Sequence, residues 1–101
     1  MVFTKKQEEE LRTLTYEALR RLTGRYSDAY TTISSVSCLV AYLATGEFYG
    51  SYHQDKIPRI LNKFCREGKA EKVQIVVYSP VVLPSSRFRV KRKHYVYRVS
   101  S

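Results

Sequence analysis

Gly68 divides this chain into two kinds of hydrophobic pattern. Before it, apolar residues recur at helical spacing in three stretches. After it they come as β-branched and aromatic runs punctuated by Pro and Ser. Three helices followed by a hairpin belong to a narrow set of α+β architectures. A chain of 101 residues has room for one such domain, spanning 1–101, with a modest core.

The first helix is expected over about 4–23. Thr4 and Gln7 have the spacing of a capping box, and Leu11, Leu14, Ala18, Leu19 and Leu22 form one stripe. Glu8 to Glu10 and Arg20, Arg21 complement the helix dipole, and Gly24 suits a left-handed cap. Thr31 to Ile33 fits a short strand. A second helix over about 35–45 carries Val36, Leu39, Val40 and Leu43 and stops at Gly46, with Cys38 and Tyr42 off the stripe. A third is expected over about 54–67, capped by Asp55, with Pro58 in its first turn and Gly68 at its end.

Val73–Tyr78 reads as one strand, and Phe88–Val90 with Tyr95–Val99 as its return. A turn near Pro84-Ser85-Ser86 pairs the Val73 end with the Tyr97 end, making a hairpin over about 72–99. Tyr95 and Tyr97 alternate onto one strand face and are expected in the core.

Charge separates along the chain. Residues 1–50 hold six basic and six acidic side chains; residues 51–101 hold twelve basic against three acidic, so the whole +9 lies in the second half. Such polarity points to a polyanionic partner. Two constellations carry it. On a helical wheel of the third helix, Ile57, Ile60, Leu61, Phe64 and Cys65 gather on one side, and Lys56, Arg59, Asn62, Lys63 and Arg66 on the other. Arg grips guanine edges and Asn adenine edges, while cations farther along meet phosphates. A merely solvated face mixes signs, whereas this one is interrupted only by Asp55 at its start. The second is Arg87 to Lys93, where Arg87, Arg89 and Lys91 share one strand face opposite Phe88 and Val90, followed by Arg92 and Lys93. One or two lysines suffice to protect an edge strand; this run exceeds that need.

The stretch Lys56–Val73, with its apolar-basic-Leu pattern, terminal Gly68 and short β entry, resembles the recognition helix and first wing strand of winged helix-turn-helix domains. Lys91–Arg98 is similar to the returning wing strand. The resemblance covers about Ile33 to Val99. It implies an α+β winged helix, a three-helix bundle with helix-turn-helix and a C-terminal β-hairpin wing. It further implies double-stranded DNA binding, with Tyr52, Gln54, Lys56 and Arg59 near base edges and Lys63 and Arg66 nearer the backbone. Arg87, Arg89, Lys91, Arg92 and Lys93 would lie on phosphates or in the minor groove. Winged-helix regulators often act as dimers, so the resemblance also admits a homodimer on a pseudo-palindromic site. Two features depart from the pattern: Pro58 lies early in the helix, and the turn Ala44–His53 is long.

The expected function is therefore sequence-specific or architectural duplex binding, in transcriptional regulation or chromosome organisation. The alternatives are RNA or ribosome binding by the same fold, and a protein-interaction winged helix within a transcription or replication assembly. An enzyme is not expected. Cys38, Cys65, His53 and His94 lack paired-ligand spacing for zinc, no Gly-rich phosphate loop occurs, and no third group activates a Cys–His pair. No cofactor, metal or small-molecule ligand is implied. The two cysteines make no disulfide framework and read as buried thiols, and the first ten residues hold no apolar signal core. An intracellular, nucleoid-associated protein is the corresponding expectation, with no membrane partner. One Asn and three Gln hint at a thermophilic source. Tyr49 and Tyr52 are candidates for stacking on bases; Tyr16, Tyr26, Tyr30 and Tyr42 suit either the core or a dimer surface.

Overall fold

A computed structural model describes residues 3–25, 29–80 and 89–100. The elements run α1 (Lys5–Thr23), β1 (Thr31–Thr32), α2 (Ile33–Thr45), α3 (Ile57–Arg66), β2 (Ala70–Pro80) and β3 (Arg89–Val99). Three helices and a C-terminal antiparallel hairpin, extended by the short β1, form an α+β winged-helix-like arrangement.

The α1 start follows from its capping box. Thr4 Oγ1 accepts from the Gln7 amide at 3.2 Å, and Gln7 Oε1 accepts from the Thr4 amide at 2.8 Å. Its end corrects the expected left-handed cap. Gly24 is right-handed helical (φ −69°), and its absent side chain serves proximity instead: a Cβ there would lie 2.5 Å from the Arg20 carbonyl oxygen. α2 begins two residues before the expected Ser35, because Thr32 caps it by accepting from the Ser35 amide at 3.2 Å. Gly46 closes it in the left-handed region, φ 84°.

The expected start of the third helix is also corrected. His53 adopts φ 44°, and its carbonyl accepts from both the Lys56 and Ile57 amides at 3.0 Å. The chain turns there, so Gln54 lies in the turn and Lys56 becomes the N-cap residue. Asp55 provides no cap; its carboxylate pairs with Lys56 Nζ at 3.4 Å. Pro58 takes the second helical position, where a missing N–H leaves no bond unmade.

The core is shared by all layers. Leu11, Ala18 and Leu19 of α1 meet Val36 and Val40 of α2, Ile57, Leu61 and Phe64 of α3, and Ala70 and Tyr97 of the sheet. Leu14 and Leu22 of the expected stripe are only partly buried, while Thr15 and Thr23 are fully inside. Both threonines bury without penalty by donating to carbonyls one turn back, Leu11 O at 2.7 Å and Leu19 O at 2.8 Å. Thr23 Oγ1 also accepts from the Val99 amide at 3.0 Å and so ties α1 to the sheet.

The sheet order is β1–β3–β2, all antiparallel, with Thr31 opposite Tyr97, Lys72 opposite Tyr97, and Pro80 opposite Arg89. The strands are longer than expected. The basic run Lys91–His94 does not interrupt β3; Lys93 and His94 there are exposed to water. The placement of Tyr95 is corrected. Tyr97 is 2% exposed and Tyr95 44%, although they share a strand face, because only the base of the hairpin is roofed by the bundle. The expected turn at Pro84-Ser85-Ser86 lies outside the described residues. Cys38 and Cys65 are free and half-buried rather than fully buried, and no helix among the described residues is long and apolar enough to cross a membrane.

Candidate nucleic-acid interface

α3 positions the candidate residues through its amphipathicity. Ile57, Leu61 and Phe64 anchor one side, so at 100° per residue Arg59, Lys63 and Arg66 fall within about 60° of one another on the solvent side. All three are exposed, and among the described residues none has a carboxylate within 4 Å. The helix carries no acidic residue from Ile57 to Arg66. Most other arginines of the helical body and the sheet base are engaged. Arg12 Nη2 donates to both Glu67 oxygens, Arg20 and Arg21 share Glu17, and Arg98 pairs with Glu71 at 2.7 Å.

The remaining candidates divide. Lys56 is half-buried, paired with Asp55, and sits over the Phe3 ring with Nζ 4.7 Å from its centroid. Gln54 is exposed in the turn, whereas Tyr52 is half-buried against the core with its ring edge on His53 and Tyr49. Burial raises the Tyr52 hydroxyl above its ordinary pKa, so it remains a neutral donor at physiological pH. Asn62 is turned toward the sheet. Its Oδ1 accepts from Tyr97 Oη at 3.0 Å and from Lys72 Nζ at 3.3 Å. Arg89, Lys91, Arg92 and Lys93 occupy β3 positions paired with Pro80, Tyr78, Val77 and Val76; Lys93 is exposed. Arg87 lies outside the described residues.

Sequence reasoning missed the other wall of this face. A groove of about 680 Å³ runs between the first turns of α1 and α3. Arg59, Lys63 and Lys56 line one side; Glu8, Glu9 and Arg12 line the other. The cationic stripe therefore faces a wall of mixed charge, in which Glu8 and Glu9 stand between Lys5 and Arg12. Only the packing of α1 on α3 creates it, and no local sequence signal announces such a contact. An aromatic turn was also missed in part. Phe48 is 62% exposed and stacks flat on Tyr42, centroids 4.3 Å apart, just before α3. An exposed Phe beside Gly46 and Gly50 was the available signal. Tyr16, by contrast, packs edge-on against Phe64, and Tyr30 lies beneath the Arg98 guanidinium; Tyr26 is outside the described residues.

Among the described residues no three His, Cys, Asp or Glu side chains cluster as a metal site. His53 is wedged between the Phe3 and Tyr52 rings, and His94 is exposed on β3. Compared with known proteins, the chain matches no family model, no curated protein and no solved structure.

Proposed function

We propose that this is a winged helix-turn-helix protein that binds double-stranded DNA non-covalently, with α3 in the major groove and the basic hairpin on the adjacent backbone. The observation that carries the reading is the α3 face: Arg59, Lys63 and Arg66 on one exposed side of a helix without a single carboxylate. Three cations over about 10 Å of helix suit a groove lined with phosphates. The N-terminal end of α3 is open, with Gln54 and Arg59 exposed there, as a reading helix requires. Transcriptional regulation or chromosome organisation follows as the role, with the nucleoid as the place.

The test is fluorescence anisotropy on a labelled duplex of mixed sequence across a salt series, with double-stranded and single-stranded RNA as competitors. Neutralising about six phosphates predicts a log–log salt slope of about −5. No duplex binding at micromolar protein and 50 mM salt would overturn the proposal.

The stacked Tyr42–Phe48 pair favours a second reading, RNA with unpaired bases, since exposed aromatic rings are the ordinary platform for bases. Displacement of duplex DNA by single-stranded RNA at equal concentration selects it.

A further inference from the structure

β2 is the outer strand of the β1–β3–β2 sheet, and among the described residues nothing pairs with its free side. Eleven residues long, it is an unusually open edge. Natural edges are blunted by charge, by a central Pro or by a bulge. Here the charged residues, Glu71 and Lys72, are at the base, Pro80 is at the end, and Val73 to Ser86 carry no charge at all. Val73, Ile75 and Val76 are each more than a third exposed.

We infer that this edge is a homodimer surface, on which β2 pairs antiparallel with β2 of a second copy to make one six-stranded sheet. The choice of a second copy follows from charge. A chain of net charge +9 associates with itself only where its own cations are absent, and the uncharged run on β2 is such a place. Strands lie about 4.8 Å apart, so the two β3 strands bearing Lys91 to Lys93 would be about 14 Å from each other. That exceeds the Debye length of about 8 Å at physiological salt, and their repulsion is screened.

The symmetry has a consequence. Antiparallel pairing of identical strands requires a two-fold axis perpendicular to the sheet, which keeps both helical bodies on the same side. Centred on Ile75 or Val76, it sets the two Ala70 ends about 33–40 Å apart at 3.3 Å per residue. One turn of duplex is about 34–36 Å, so both α3 helices would meet successive major grooves of one face. This spacing rests on the DNA-binding reading of α3; the strand pairing does not. An edge contact about 35 Å long and 10 Å deep hides roughly 700 Å² in total, less than a stable complex needs. The dimer is therefore weak in solution and completed on DNA.

Sedimentation equilibrium of the full chain from 10 µM to 1 mM tests the surface. A monomer–dimer equilibrium is expected, weakened at least tenfold in Ile75→Lys and in the double variant V73K/I75K, with helical content unchanged by circular dichroism. In a C38S/C65S background, Ile75→Cys or Val76→Cys should form a self-disulfide under mild oxidation, and Thr13→Cys on α1 should not. On DNA, wild type should bind inverted half-sites one turn apart cooperatively. A chain monomeric at 1 mM that also binds duplex one copy at a time overturns the inference, as does a dimer that survives V73K/I75K. A dimer lost in V73K/I75K from a protein that ignores duplex DNA supports this surface and removes the DNA reading of α3.

Discussion

Tyr97 Oη donates to Asn62 Oδ1 at 3.0 Å, and this bond fastens α3 to the middle strand of the sheet. Tyr97 is almost wholly buried, so its hydroxyl depends on that acceptor; burial also raises its pKa. Asn62→Ala leaves the hydroxyl unpaired and should cost about 1–3 kcal/mol, whereas Tyr97→Phe removes both the donor and its need and should cost about 1 kcal/mol. Urea denaturation measures both. Because the amide oxygen is committed to Tyr97 and Lys72, Asn62→Ala should leave the sequence preference of any duplex binding unchanged. A changed preference would return Asn62 to the reading face.

The cations of α3 separate by position. Arg59 is near the open N-terminal end and Arg66 is the last residue of the helix. Arg59→Ala should reduce discrimination between duplex sequences by about 1–3 kcal/mol. Lys63→Ala and Arg66→Ala should weaken all sequences alike, each lowering the salt slope by about 0.9. Changing Lys91, Arg92 and Lys93 together to Ala should do the same with a larger slope change. Anisotropy titrations on two unrelated duplexes at three salt concentrations distinguish these outcomes, and an unaltered triple variant takes the hairpin out of the interface.

Much of this was legible in the residues, and the exceptions share a cause. The stripes of α1, α2 and α3 and the short strand at Thr31 are periodic or punctuated signals, and the exposed trio Arg59, Lys63 and Arg66 follows from the α3 stripe alone. Asn62 sits at the border of that wheel, where a neighbouring sheet decides which way a side chain faces, and the wheel holds no sheet. Tyr95 and Tyr97 have the same strand parity, but parity does not say where the roof of the bundle stops. The start of α3 depended on the left-handed His53, a conformation that composition does not announce for a non-glycine residue. The placing of Glu8 and Glu9 opposite the α3 cations needed the α1–α3 packing itself.

Acid should loosen the contact between α1 and the end of α3. The Arg12 guanidinium holds the Glu67 carboxyl below its ordinary 4.5, and Lys69 and Lys63 act in the same direction. A folded-state pKa below the unfolded one stabilises the fold above the ordinary carboxylate range. That contribution fades as pH falls through the lowered value. Both partners are about a third exposed, so the effect is small and screened by salt. Thermal melts of wild type and Glu67→Gln should therefore differ at pH 7 in low salt and converge as the solution is taken to acid. A gap that persists below the folded-state value would assign the loss to packing of the side chain rather than to its charge.

Glu8 and Glu9, with Lys5 and Arg12 in the same wall, face Lys56, Arg59 and Lys63 across the groove. A duplex seated on α3 therefore brings its phosphates toward two carboxylates, whose removal would leave that wall cationic. At roughly 10 Å in a medium close to water, one such charge pair is worth about 0.4 kcal/mol, or a factor of about two in affinity. The double variant E8Q/E9Q should bind duplex DNA roughly two- to fivefold more tightly at 50 mM salt. The gain should vanish near 0.5 M, where the Debye length falls to a few ångströms. Both residues are exposed and lie outside the core, so circular dichroism should show the helices intact despite the loss of acidic charge at the start of α1. Affinity that does not rise at low salt would mean that bound DNA stays clear of the α1 side of the groove. The approach to α3 would then have to come from the hairpin side.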